Sequence, residues 1–198
     1  MKYLLPLLFM ILFLGLVVFS VIYLSRRMNF FFETEGIKYW YILFSSLPVI
    51  MITGMAIFSN TTSTLGSLVY QLAAIITGFI LYFLMIVLLM DLAHLIFKGT
   101  PVIYGMTAFI LTILIVVIGI LHAFNVKTTT IEVSLSGLKK EMRIVHLTDI
   151  HIGHFRGEKF LEQIVDMSLI QEPDAIFITG DLFDGKIQLS EKVLEPLN

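Results

Sequence analysis

No cysteine occurs in the 198 residues. Disulfide frameworks, thiolate metal sites and cysteine nucleophiles are thereby excluded. Charge is scarce as well: 14% of residues are Asp, Glu, Lys or Arg, against about 25% in an ordinary water-soluble domain. Nor is there a basic surplus, because 13 bases against 15 acids leave a formal charge of −2. Nothing in that balance attracts a polyanion, and no nucleic-acid partner is expected. Apolar residues fill the space that charge leaves, at 58% of the chain, which argues against an ordinary cytosolic globule.

The few charges are unevenly placed. Residues 1–124 hold five bases (Lys2, Arg26, Arg27, Lys38, Lys98) and three acids (Glu33, Glu35, Asp91), whereas the last 74 residues hold eight bases and twelve acids. This shift divides the chain into a membrane domain over residues 1–124 and a soluble domain over residues 125–198. A bilayer core of roughly 30 Å takes about 20 apolar residues in a helix. Four runs reach that length: Leu4 to Leu24, Trp40 to Phe58, Leu68 to Met90 and Val102 to Phe124. They predict four transmembrane helices, hence a multi-pass protein of the cell membrane with the lipid bilayer as its first partner. The first run is too long for a cleaved secretory signal and has no small-x-small site after it, so it reads as an anchor. Tyr39, Trp40 and Tyr41 suit the headgroup layer at the start of the second.

Four spans return the C-terminal domain to the side on which the N-terminus lies. Lys2 and Lys127 flank the spans there, while Arg26, Arg27, Lys38 and Lys98 flank the opposite ends. The positive-inside bias then places the first and third connections in the cytoplasm and the soluble domain outside it. Lys139, Lys140 and Arg143, further along the tail, pull the other way. Asp91 and His94 stand three apart, on one helix face, and are expected to pair near the interface. No polar path through the spans suggests a transporter.

In the soluble part, Thr128 to Leu135 alternates Ile131, Val133 and Leu135 and predicts a strand, closed by a Ser136-Gly137 turn. Met142 to Thr148 predicts a second strand, and Ile150 to Gly157 a loop. Glu158 to Gln171 has the spacing of an amphipathic helix through Phe160, Leu161, Ile164, Val165 and Leu169. Pro173 stops it, and Ala175 to Thr179 predicts a buried parallel strand. A strand, helix and strand in that order form a crossover unit with parallel, adjacent strands. Ligands bind beyond the carboxyl ends of such strands, where Thr148-Asp149-Ile150-His151 and Gly180-Asp181-Leu182-Phe183-Asp184 would converge.

One residue separates Asp149 from His151, so in extended chain both side chains project the same way and can hold one ion. Asp181, from the neighbouring strand, has two carboxylate oxygens and can bridge that ion to another. Carboxylate with imidazole suits Mn, Fe or Zn better than Ca or Mg. Two such divalent metal ions, about 3.5 to 4 Å apart, activate water and clamp a phosphoryl group. Phosphoester hydrolysis is the reaction this implies.

Asp149-Ile-His151 followed about 30 residues later by Gly180-Asp-Leu-Phe-Asp184 resembles the first two blocks, D-x-H and G-D-x-x-D, of the calcineurin-like metallophosphoesterases. Leu147-Thr-Asp-Ile-His-Ile-Gly-His154 and Pro173-Asp-Ala-Ile-Phe-Ile-Thr-Gly-Asp181 are similar to the membrane-anchored bacterial members. The resemblance spans residues 142–198. It implies that Asp149 and His151 hold the first metal, that Asp181 bridges, that Asp184 acts behind the ligands, and that the intact domain is a four-layer αββα sandwich. The family's G-N-H-[DE] and G-H-x-H blocks do not occur here. The expectation is therefore a fragment, or a product interrupted before its second half, with the amphipathic stretch Leu189 to Leu194 near its end.

The chain thus reads as an α-helical membrane domain followed by the start of an α/β metallophosphoesterase domain, acting on a phosphoester substrate that a bilayer anchor would make lipid-linked. The alternative is a non-catalytic polytopic protein with a degenerate phosphoesterase-like docking module. His154 and Arg156 fall in the loop after the first block, as solvated residues or as contacts to a substrate phosphate. Asp184 can also cap a following helix, and His146 reads as a packed, hydrogen-bonded core histidine. No pattern sets an oligomeric state.

Overall fold

The computed structural model describes residues 4–184 and 194–197. Four long helices come first: α1 Leu4–Phe32, α2 Ile37–Phe58, α3 Thr64–Phe97 and α4 Pro101–Ala123. All four are long and apolar enough to cross a membrane. Each exceeds the run that predicted it at one end or both, except that α4 stops one residue short. Helical hydrogen bonding continues into the headgroup layer, past the point where apolar composition stops. Pro101 opens α4 at the position where its missing N–H costs nothing.

The chain divides into two compact units, one of Met1–Met55 with Leu72–His122 and the other of Ala56–Gln71 with Ala123–Asn198. In the first, apolar side chains cover most of the outward surface, from Leu4 and Leu5 to Leu121, as hydrocarbon surroundings require. Its core gathers Leu24, Met28, Phe31, Phe44, Phe83, Leu84, Ile86, Val87 and Ala108. Hydroxyls in these helices bond back to the carbonyl one turn earlier. Ser20 donates to Leu16 at 2.7 Å, Ser25 to Val21 at 2.6 Å and Thr112 to Ala108 at 2.7 Å, which removes donors that lipid would leave unsatisfied.

One expectation about this unit is corrected. Asp91 does not pair with His94. Its carboxylate accepts from the Arg27 guanidinium and the Tyr23 hydroxyl, both on α1, while His94 packs edge-on against Phe30, Phe31 and Tyr104. An arginine fork is a stronger partner for a carboxylate than a neutral imidazole, and helix packing brings it within reach. Trp40, half-buried at the start of α2, stacks its ring on Phe32 and Phe44, at 5.9 and 6.0 Å between centroids, and its N–H donates to the exposed Thr34 at 2.8 Å.

In the second unit, β1 Ile144–Thr148 and β2 Ala175–Thr179 form a parallel pair, joined through α5 Glu158–Leu169. The register aligns Ile144 with Ala175 and Thr148 with Thr179, so both strands end together. Arg143 and Asp174 lock the other end: Arg143 N–H donates to the Asp174 carboxylate and Asp174 N–H to the Arg143 carbonyl, each at 2.8 Å. The α5 helix buries Leu161, Ile164 and Ser168, which fall on one stripe. Leu169, counted with that stripe in the sequence, is exposed. The core consists of Ile150, Ile152, Leu161 and Ile164, with Val126, Leu147, Phe160, Val165, Leu182 and Leu194 packed on it.

The strand expected at Thr128 to Leu135 does not form; residues 124–135 run without regular structure, and only the turn that follows appears, with Leu138 N–H on the Leu135 carbonyl at 3.4 Å. Alternation makes a strand only where a partner supplies the ladder, and among the described residues none pairs with this segment. Its apolar members Ile131, Val133 and Leu135 are exposed. His146 also departs from expectation: it is hydrogen-bonded, to the Thr179 hydroxyl, but lies exposed on the sheet face away from α5. Of the stretch Leu189 to Leu194, only Leu194 falls within the described residues.

Candidate metal centre

Beyond β1 and β2 the two strands keep exchanging backbone hydrogen bonds as they turn. His151 N–H donates to the Asp181 carbonyl at 2.9 Å, Ile152 N–H to Leu182 at 2.8 Å and Asp184 N–H to Ile152 at 2.8 Å. An isolated bridge joins Ile152 and Phe183. The two polar clusters are thereby fixed side by side at the carboxyl edge. Ile150 and Ile152 point into the core, at 5% and 0% exposure, and the residues that alternate with them, Asp149 and His151, are left outward.

The loop is not the extended chain the sequence suggested. Asp149 and His151 both take left-handed backbone conformations, with φ of 54° and 51°. Such φ values are uncommon in residues with side chains, though Asp and His tolerate them better than most. Each costs of order 1 kcal/mol, and strain of this kind collects at functional sites. Gly180, immediately before Asp181, has φ of 69°, where glycine carries no penalty. Gly153 has a different reason: a Cβ there would stand 2.6 Å from the Asp184 Cβ, so only glycine lets the two motif loops close.

One ligand atom from each of Asp149, His151 and Asp181 lies within 4.8 Å of the other two, and all three residues are exposed. His151 Nε2 stands 3.9 Å from Asp181 Oδ2. Ligands held about 2.0 to 2.2 Å from one ion are some 3 to 4.4 Å apart, so small side-chain movements complete the geometry. The donor set, two carboxylates and an imidazole, fits a divalent transition ion. Asp184 lies outside that triad, against Gly153. Thr148, which the sequence offered only as part of a polar cluster, donates its hydroxyl to Asp149 Oδ2 at 2.7 Å. It holds the carboxylate that would face the ion.

At this geometry the comparisons with known proteins become specific. Residues 142–198 match the calcineurin-like phosphoesterase family. The match begins just before β1 and takes in both motif loops of the phosphoesterase segment. The chain is 30% identical over 97 residues to an uncharacterized metallophosphoesterase of Campylobacter jejuni, covering 48% of this chain and 26% of that protein. It is 39% identical over 64 residues to one of Helicobacter pylori, covering 32% and 17%. A transmembrane protein with metallophosphoesterase domain from Danio rerio is 33% identical over 94 residues, covering 46% and 22%. The chain thus spans about a quarter or less of the length of these relatives. No solved structure is a significant match. A segment that matches calcineurin-like phosphoesterases, following four helices long and apolar enough to cross a membrane, fits the membrane-anchored arrangement that the sequence resembles.

The two loop residues offered as substrate contacts are engaged elsewhere, which corrects their reading as solvated. His154 is 7% exposed. Its ring stacks on Tyr70 at 4.2 Å, and its two nitrogens meet the Ser67 hydroxyl at 3.0 Å and the Ser59 carbonyl at 3.1 Å. The Arg156 guanidinium donates to the carbonyls of Ile150 at 2.9 Å, Asp149 at 3.3 Å and Ala123 at 3.1 Å, over the Phe160 ring. Both side chains are spent on holding the loop. No local pattern signals this, because the partners of His154 lie 83 to 95 residues earlier.

Proposed function

We propose that the chain carries the membrane anchor and the first metal ligands of a metal-dependent phosphoesterase that hydrolyses phosphoester or diphosphate bonds at a dinuclear site. The observation that carries this is the convergence of Asp149, His151 and Asp181 within 4.8 Å. Asp149 and His151 would hold one ion of the Mn, Fe or Zn type, Asp181 would bridge to a second, and Asp184 would support the ligands from behind. Bound there, the ions would supply Lewis acidity toward water and the phosphoryl oxygens. The chain's own part is to present two carboxylates and an imidazole outward on a loop whose isoleucines anchor it in the core.

The anchor confines the site to the neighbourhood of lipid headgroups, and the substrate we infer is lipid-linked. A recess of about 460 Å³ lined by Phe124, Phe155, Phe160 and Lys159 begins one residue after α4. Its walls are apolar, with Lys159 and Glu158 beside them. Arg26, Arg27, Lys38 and Lys98 near the first and third connections favour an extracytoplasmic site. Protease treatment of intact cells checks that side: a resistant tail would reverse it.

The full-length gene product is expected to cleave an aryl phosphodiester in the presence of Mn²⁺ and to lose that activity on Asp181→Asn. Activity untouched by the substitution would overturn the proposal. Lipid extracts assayed against soluble nucleotides decide the substrate class.

A further inference from the structure

The loop that carries Asp149 and His151 has an attachment that the proposed chemistry does not by itself require. Ser59 follows the last residue of α2, and Ser67, Tyr70 and Gln71 occupy the first two turns of α3. Ser67, Tyr70 and Gln71 have i, i+3, i+4 spacing and share one helix face. That face grips His154 on every side: Ser67 at Nδ1, Tyr70 against the ring, and the Gln71 amide on the His154 carbonyl, with the Ser59 carbonyl at Nε2.

The polar atoms of this contact are matched. A carbonyl can only accept, so Nε2 carries a proton and donates to Ser59. The Ser67 hydroxyl, which can donate or accept, meets Nδ1, so both ring nitrogens have a partner. Two residues separate His154 from His151, and the intervening chain is stiff: Ile152 is fully buried, and Gly153 N–H is bonded to the Arg156 carbonyl at 2.8 Å. A displacement of His154 is therefore transmitted to His151.

We propose that His154 is a positioning residue. By fastening the metal loop to the α2–α3 connection through Ser59 and Ser67, it sets the geometry in which Asp149 and His151 meet an ion. This rests on the reading of Asp149, His151 and Asp181 as metal ligands. It adds that residues 56–71 are part of the site's support and that their position controls metal affinity.

The test uses the whole chain in lipid nanodiscs with Mn²⁺ alone as probe, binding being read from loss of the free-ion electron paramagnetic resonance signal. Ser67→Ala and His154→Ala are each expected to weaken Mn²⁺ about tenfold, the lower end of what loss of a supporting partner costs. Ser67→Ala removes one hydroxyl and is expected to lower the unfolding temperature by only about 2–4 °C, with the far-ultraviolet circular dichroism unchanged, which separates positioning from loss of the fold. The double substitution is expected to be no weaker than His154→Ala, since both cut the same attachment. In the absence of metal, amide exchange at Ile152 and Gly153 is expected to quicken about tenfold in both variants, as loss of one buried hydrogen bond predicts.

Wild-type affinity in both variants, or unchanged exchange in both, would overturn the proposal. A wild-type chain that takes up no Mn²⁺ would overturn the metal reading and with it the link to affinity. The metal-free exchange measurement then still decides whether the attachment holds the loop.

Discussion

The Thr148 hydroxyl donates to the Asp149 carboxylate at 2.7 Å, so the last residue of β1 orients the first residue of the metal loop. Partners of this kind fix a ligand's direction and raise its basicity. Thr148→Val keeps the β-branched shape that suits a strand and removes only the donor. It is expected to weaken Mn²⁺ binding about tenfold, with the far-ultraviolet circular dichroism unchanged. Binding at wild-type strength would show that the hydroxyl contributes nothing.

His151 and Asp181 approach to 3.9 Å with no bond between their motifs except the backbone ladder. If the proposed ligand set is right, His151→Ala and Asp181→Asn would each remove a direct ligand and exceed the roughly 10- to 100-fold loss typical of outer partners. Calorimetric titration with Mn²⁺ checks this, and chelator treatment of the wild-type chain should reproduce the metal-free state reversibly. The described triad of Asp149, His151 and Asp181 is expected by itself to support little turnover with an aryl phosphodiester; brisk metal-stimulated hydrolysis by this chain would contradict that.

Gly153 leaves no room for a side chain, because its Cβ would meet that of Asp184 at 2.6 Å. Gly153→Ala must push the two motif loops apart, at a cost of about 1–3 kcal/mol if neighbouring backbone yields as in an overpacked core. Thermal unfolding and Mn²⁺ affinity should both fall. An alanine variant with wild-type values in both would show that the loops separate freely.

Asp91 accepts from both Arg27 and Tyr23, within helices whose surroundings are apolar. The pair's side chains are 26% and 19% exposed, so removing one partner strands the other in a poor solvent. Asp91→Leu alone is expected to destabilise the helical unit by about 1–3 kcal/mol, below the 3–5 kcal/mol of fully buried pairs. The double variant Asp91→Leu with Arg27→Met is expected to lose less, since no charge is left alone. Unfolding in mixed detergent micelles measures both.

What the sequence determined by itself was local or periodic. Four apolar runs of bilayer length dictate four helices, because lipid leaves the backbone no other partner. The spacing from Phe160 to Val165 dictates α5, and Ala175 to Thr179 is the observed β2 to the residue, although the strand expected to be buried is exposed from Ile176 to Thr179. Asp149, His151 and Asp181 could be singled out because carboxylate and imidazole at the ends of parallel strands have few structural uses, and the fold brings one ligand atom of each within 4.8 Å of the others. Tertiary structure decided everything that depends on partners distant in the chain. Thr128 to Leu135 has a strand's alternation and no ladder to join. Asp91 took Arg27, 64 residues away, over His94 on its own helix face. His154, which looked like a loop residue free to meet substrate, is held by Ser59 and Ser67. Side-chain chemistry can be read one residue at a time, but a hydrogen bond or ion pair needs two groups at one place, and only the folded chain brings them there.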